Sequence, residues 1–123
     1  VKNVLIIDDE AIFQDLLCHI VRRGGYHPYA VSDAQSALIA IEHGLPDVII
    51  LDDMMPTMSG SDLCVLLKSN PLTRSIPVII YTAGVGFFMI DGLTRTGADV
   101  ALQKNGKPGE LLAALHHVLA SVN

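Results

Sequence analysis

Three short aliphatic runs constrain this chain more than any other feature: Val4-Leu5-Ile6-Ile7, Val48-Ile49-Ile50-Leu51 and Val78-Ile79-Ile80-Tyr81. Each is too short for a buried helix and most are rich in β-branched residues, so each reads as a strand covered on both faces. Strands of that kind belong to parallel sheets with helices packed on either side. The run Val48–Leu51 is the most informative, because it stops at Asp52 and leads into a loop holding Pro56 and Gly60. In parallel α/β sheets, ligands bind beyond the carboxyl ends of the strands. Asp52 therefore stands where a reactive carboxylate would work.

Between these runs the apolar spacing becomes helical. Ile12, Leu16, Leu17, Ile20 and Val21 form one stripe, stopped by Gly24-Gly25. Asp8-Asp9-Glu10 precede it and suit the positive end of a helix. Tyr26 to Val31 reads as a weaker second strand. Ser32-Asp33 is expected to cap a helix over Ala37, Leu38 and Ile41, with Gly44 at its end. Leu63, Leu66 and Leu67 mark a third helix ended by Asn70-Pro71. Pro77 to Tyr81, finishing at Thr82, is the fourth strand, and Asp99 to Gln103, ending at Lys104, is a weak fifth. Pro108 lies near the first turn of the last helix, whose stripe is Leu111, Leu112, Leu115, Val118 and Leu119. The alternation predicts an α/β fold: a flavodoxin-like three-layer sandwich with a five-stranded parallel sheet of order 2-1-3-4-5 and right-handed crossovers.

The segment from Gly84 to Gly97 is less regular. Val85, Phe87, Phe88, Met89 and Ile90 are almost continuous, and on a helix Phe87 to Ile90 would cover most of the circumference. Glycines 84, 86 and 92 and threonines 94 and 96 lower helix propensity. A short or mobile fourth helix with an exposed apolar patch is expected.

The 123 residues fit one domain with one core. The net charge of −5 argues against direct nucleic-acid binding, which needs a basic patch. No apolar run reaches the ~18 residues of a membrane helix. The start runs straight into a strand without a signal peptide, and its lack of Met implies processing or excision from a longer protein. Cys18 and Cys64 lie in helical patterns without metal or redox spacing, so both are expected to be reduced, buried and structural in a cytoplasmic protein. The five histidines show no metal spacing either.

Strand ends now bring together Asp8, Asp9, Asp52, Thr82 and Lys104. Three carboxylates repel one another, and a hard divalent cation such as Mg²⁺ relieves them, because it takes oxygen ligands and keeps several waters. A carboxylate beside Mg²⁺ can attack a phosphoryl group and hold it as an acyl phosphate. Lys104 would neutralise the transferring oxygens, and Thr82 would donate a hydrogen bond to one of them. Asp53 reads as a solvated neighbour, and Met54, Met55 and Met58 as packing residues.

Taken in order, Ile-Ile-Asp-Asp-Glu, Pro-Asp-Val-Ile-Ile-Leu-Asp with Met-Met-Pro and Gly60, Pro-Val-Ile-Ile-Tyr-Thr-Ala, and Gly-Ala-Asp followed by Lys104 cover nearly the whole chain. In these the chain resembles the response-regulator receiver domains of two-component systems, chemotaxis regulators among them. The resemblance implies a single receiver domain over residues 1–123 that acts as a phosphorylation-dependent switch, not an enzyme on an external substrate. It implies Asp52 as phosphoacceptor, Mg²⁺ on Asp9, Asp52 and the Met54 backbone carbonyl with Asp8 acting directly or through water, Thr82 as switch hydroxyl, and Lys104 as partner of the phosphoryl group. The donor would be a phosphohistidine on a histidine kinase or histidine phosphotransfer protein. Output or homodimer formation would use the face from the fourth helix to the last. The family places two side chains near the path of hydrolytic water, and here these are Met54 and Gly84.

Rival readings fit less well. A flavin carrier of this fold needs a phosphate loop rich in Ser, Thr and Gly, and the first loop here is acidic. An aspartyl-phosphate hydrolase carries a second acid two residues after the nucleophile, where Met54 stands. A receiver that only binds partners would lack part of the acidic or Lys set. The chain also departs from the family pattern. Ala101 replaces the aromatic three positions before the Lys, Asn105 replaces the proline after it, and Lys107 replaces the Asp that caps the last helix. The family's cis peptide is therefore not expected, and the usual coupling of the switch hydroxyl to an aromatic rotamer is in doubt.

Overall fold

In the computed structural model, which describes residues 1–120, the aliphatic runs are the strands. Strand β1 spans Asn3–Ile7, β2 His27–Val31, β3 Val48–Leu51, β4 Val78–Thr82 and β5 Val100–Gln103. All pair in parallel, in the order β2-β1-β3-β4-β5. Every residue of β3 and β4 is buried, as the unbroken apolar runs require. The helices are α1 Ala11–Arg23, α2 Ala34–His43, α3 Gly60–Ser69, α4 Gly86–Met89, α5 Gly92–Thr96 and α6 Pro108–Ala120. Alternate strand residues feed two cores. Leu5, Ile7, Ile49, Leu51 and Ile80 pack with residues of α2, α3 and α4. Val4, Ile6, Val48, Ile50 and Ile79 pack with α1 and α6. No described helix is long and apolar enough to cross a membrane.

Two helix starts are satisfied by side chains. Asp33 Oδ1 accepts from the Ser36 N–H at 2.7 Å, and Ser59 Oγ accepts from the Asp62 N–H at 3.0 Å. The start of α1 is satisfied from two residues upstream. The Glu10 side chain makes no capping hydrogen bond there, and Asp8 Oδ1 instead accepts from the Glu10 N–H at 2.9 Å.

The expected fourth helix is two short ones, because Asp91 takes left-handed angles (φ 54°) between them. Phe87 is buried in the same core cluster that Ala101 borders, and its ring packs so closely on Gly92 that a Cβ there would meet it at 2.6 Å. Phe88, Met89, Ile90, Val85 and Leu93 remain exposed. The segment thus divides into one ring that fills space and a patch that does not. Cys64 is buried as expected, but Cys18 is only half-buried, because its place on α1 turns partly to solvent. Both are free, and burial pushes both thiols up from their ordinary pKa. No described peptide bond is cis.

Gly60 sets the position of the loop after β3. A Cβ added there would lie 2.2 Å from the Asp52 carbonyl oxygen and 2.8 Å from both the Asp52 carbonyl carbon and Asp53 Cα. These are backbone atoms of the strand end, so relief requires moving the loop or α3. Gly60→Ala is expected to cost about 3 kcal/mol, or about 10 °C in melting temperature. A thermal melt followed by circular dichroism checks this, and a shift of only a degree or two would show that the loop yields freely.

Candidate functional site

The sheet itself carries the site residues to one edge. Each lies at or just past a strand end, with its backbone still in the ladder. Asp8 N–H donates to Val31 O at 3.1 Å, Asp52 N–H to Ile7 O at 2.9 Å, and Lys104 N–H to Thr82 O at 2.9 Å. The strands are rigid and two-sided in their burial, so the side chains inherit their precision. Asp8, Asp52 and Thr82 are all buried.

Lys104 joins the carboxylates. Its Nζ lies 2.7 Å from Asp8 Oδ2, 3.3 Å from Asp52 Oδ2 and 3.8 Å from Glu10 Oε1. The contact with Asp8 is a short, buried ion pair. Asp52 Oδ1 accepts from the Met54 N–H at 3.2 Å. Burial pushes the Asp52 carboxyl above the ordinary carboxylate value, against the opposing pull of the Lys104 charge and the Met54 N–H. Burial alone would lower the Lys104 ammonium, but contact with Asp8 and the charge of Asp52 more than offset it and leave its pKa raised.

Four carboxylates gather here, three of them within ion-pair distance of the ammonium. Single oxygens of Asp8, Asp9, Glu10 and Asp52 all lie within 4.8 Å of one another. That all-oxygen donor set suits a hard divalent cation, and Asp8 Oδ2, engaged by the Lys104 ammonium, still has a second lone pair to offer one.

Thr82 is fully buried, and its Oγ1 accepts from the Gly84 N–H at 3.2 Å. Met54 is 62% exposed, so it does not pack in the core. Its thioether lies over the loop after β4 instead, 2.7 Å from where a Gly84 Cβ would stand. Asp53 is not a merely solvated neighbour. Its Oδ1 accepts from both the Ser61 N–H and the Ser61 hydroxyl, at 2.8 and 2.5 Å, and so ties the loop to the start of α3.

The response regulator receiver domain family matches residues 4–116. The chain belongs to that family. Such a receiver is a regulatory phosphoacceptor domain, a phosphorylation-dependent switch of two-component systems. This receiver is 34% identical over 123 residues to the phosphate regulon transcriptional regulatory protein PhoB of Klebsiella pneumoniae, covering 99% of this chain and 53% of that one. It thus spans about half the length of the curated relatives it matches. Among solved structures, the receiver domain of a signal transduction histidine kinase from Syntrophus aciditrophicus superposes with a TM-score of 0.93 at 31% identity, over 100% of this chain and 93% of that one. The chemotaxis protein CheY4 of Vibrio cholerae superposes with a TM-score of 0.87 at 26% identity, over 97% and 99%.

Three participants in this receiver's site escaped sequence reasoning. Glu10 reads in sequence as part of a helix start, yet its carboxylate joins the cluster. Gln14 donates from Nε2 to Asp8 O at 2.7 Å and Val31 O at 3.1 Å, bracing the loop that carries Asp8. Phe13 has its ring against Lys104. Phe13 and Gln14 follow Asp9 and Glu10 at four-residue spacing, which points the first turn of α1 back over the strand ends.

Proposed function

We propose that this receiver accepts a phosphoryl group on Asp52 from a phosphohistidine of a histidine kinase or histidine phosphotransfer protein. The observation that carries the reading is the buried Asp52 carboxylate with the Lys104 ammonium 3.3 Å away. An Asp52 oxygen attacks phosphorus as the phosphorus–nitrogen bond of the donor breaks. The electron pair leaves with the imidazole, which takes a proton from solvent. Lys104 turns from Asp52 toward the phosphoryl oxygens, and Thr82 donates its hydroxyl to one of them. Asp9, Asp52 and the Met54 carbonyl, with Asp8 directly or through water, are the residues that would hold Mg²⁺. Bound there, that ion would neutralise the oxygens in transfer. The domain catalyses only its own phosphotransfer and a slow dephosphorylation, and residues 1–123 act as one phosphoacceptor unit in a longer or a free-standing protein.

The exposed residues Val85, Phe88, Met89, Ile90 and Leu93 supply the output surface, either to another domain or to a second receiver. Incubation with acetyl phosphate and Mg²⁺, followed by mass spectrometry of the peptides, is expected to find one phosphoryl group at Asp52 that base and hydroxylamine remove. A chelator should abolish it, and Mg²⁺ alone should raise the melting temperature. Phosphate on another residue, or labelling that ignores the chelator, would defeat the reading. Sedimentation of the same phosphorylated sample tests the surface, since replacing Phe88 and Ile90 by polar residues should abolish any association that appears.

A further inference from the structure

The geometry points to Phe13 as a positioning residue for Lys104: the face of its ring holds the ammonium where it must meet the incoming phosphoryl group. This inference rests on the reading of Asp52 as phosphoacceptor. Lys104 Nζ lies 4.0 Å from the centroid of the Phe13 ring, inside the ~6 Å reach of a cation–π attraction. The Lys104 side chain is only 3% exposed, so water competes weakly and the attraction is strengthened.

The ring differs in kind from the other partners. Asp8, Asp52 and Glu10 are anions, and they draw the ammonium by charge. Phosphorylation alters that set, because the charge of Asp52 moves outward onto the phosphoryl oxygens and the ammonium must follow. The π face is the same before and after. It holds the lysine in the site while its anionic partner changes.

The first turn of α1 fixes the ring. The Phe13 N–H donates to Glu10 O at 3.1 Å, and the side chain packs against the core that contains Leu17 and Leu111. Gln14, the next residue, holds the backbone of Asp8. One helical turn thus places both members of the Asp8–Lys104 pair. The plainer alternative is that Phe13 only fills space beside that core. Fluorination separates the two, because it drains charge from the ring face while nearly keeping its shape and apolar character.

The test uses the full chain with mono-, di- and trifluorinated phenylalanine placed at position 13, together with Phe13→Leu and Phe13→Tyr. Two quantities are read: the rate of phosphorylation by acetyl phosphate with Mg²⁺, and the NMR signal of the Lys104 ammonium. Each added fluorine is expected to slow the reaction, reaching about tenfold for the trifluorinated ring and for Phe13→Leu. Phe13→Tyr should stay within about twofold of wild type. The ring-current displacement of the Lys104 signal should vanish in Phe13→Leu. A trifluorinated protein as fast as wild type overturns the inference, even if Phe13→Leu is slow, since packing alone would then explain that loss. A Lys104 signal unchanged in Phe13→Leu overturns it as well. If wild type takes no phosphoryl group at Asp52, the proposed function fails first, and the Lys104 signal then judges the ring contact by itself.

Discussion

Lys104→Met is expected to slow phosphorylation by acetyl phosphate at least about a hundredfold and to cost about 3 kcal/mol of stability at neutral pH. Both effects come from one cause. The ammonium sits between two carboxylates that are 1% and 2% exposed, at 2.7 and 3.3 Å. Methionine matches the length of the stem but leaves those carboxylates with no cation between them. Removing one member of a buried ion pair is costly because the other stays desolvated and uncompensated.

The pH dependence gives the result a sign. The Asp52 carboxyl already titrates above its ordinary value, chiefly through burial. Loss of Lys104 removes a charge that pulls it down, so the raised value rises further. A carboxyl with a raised folded pKa favours the fold when protonated. The penalty of Lys104→Met is therefore full above the folded Asp52 pKa and shrinks as pH falls toward the ordinary carboxylate value. In wild type, Lys104 has a raised pKa, so its stabilising contribution is complete below the ordinary lysine value and is lost as pH climbs through the folded one. Melting curves of both proteins from acid to alkaline pH measure this. A Lys104→Met protein that is most destabilised in acid would refute the account.

The phosphorylated receiver is expected to be long-lived, and Met54→Asn combined with Gly84→Glu should shorten its lifetime ten- to a hundredfold. Acyl phosphates are lost when water attacks in line with the bond to the carboxylate. A thioether is a weak acceptor and cannot orient that water, and Gly84 has no side chain to do so. A group that positions water as acid or base is worth about 1–3 kcal/mol of barrier. The structure adds a steric reason for pairing the changes. Met54 Sδ and Cγ stand 2.7 and 3.3 Å from where a Gly84 Cβ would be, with Thr82 Oγ1 at 3.7 Å. The methionine therefore fills the notch that the glycine leaves, beside the Thr82 hydroxyl. Gly84→Glu alone would strike it, whereas Met54→Asn clears the space and supplies a polar group. Phosphoprotein decay after donor removal gives the answer. If the double variant keeps its phosphoryl group as long as wild type, water positioning does not set the lifetime here.

Much of this protein is legible in its residues because its strands are buried on both faces. Val48–Leu51 and Val78–Tyr81 have no polar alternative to the sheet interior, so the polar residue that ends each run has to lie at its edge. That logic placed Asp8, Asp52 and Thr82 together without any knowledge of distance, and the strand–helix alternation added Lys104 at the end of the less buried β5. The parallel order followed from the helical stripes between the runs, which leave no room for hairpins. Where periodicity is weak the same reasoning reached a short helix with an exposed apolar patch but not its division in two. Gly86 to Thr96 became two helices because a left-handed Asp91 interrupts it, a choice that propensity alone does not dictate.

Tertiary structure alone decided the contacts made by side chains that are not themselves at strand ends. Whether Glu10 points to solvent or into the acidic cluster depends on the angle at which α1 leaves β1, and that angle is a property of packing. The same angle lays the Phe13 ring on Lys104, a residue 91 positions further along the chain. The need for glycine at position 60 depends on how near α3 begins to the backbone of Asp52, and the burial of Phe87 depends on the absence of a side chain at Gly92. Sequence patterns report periodicity along one element, and so they identify faces and ends. Distances between elements arise only when the two cores close around the sheet.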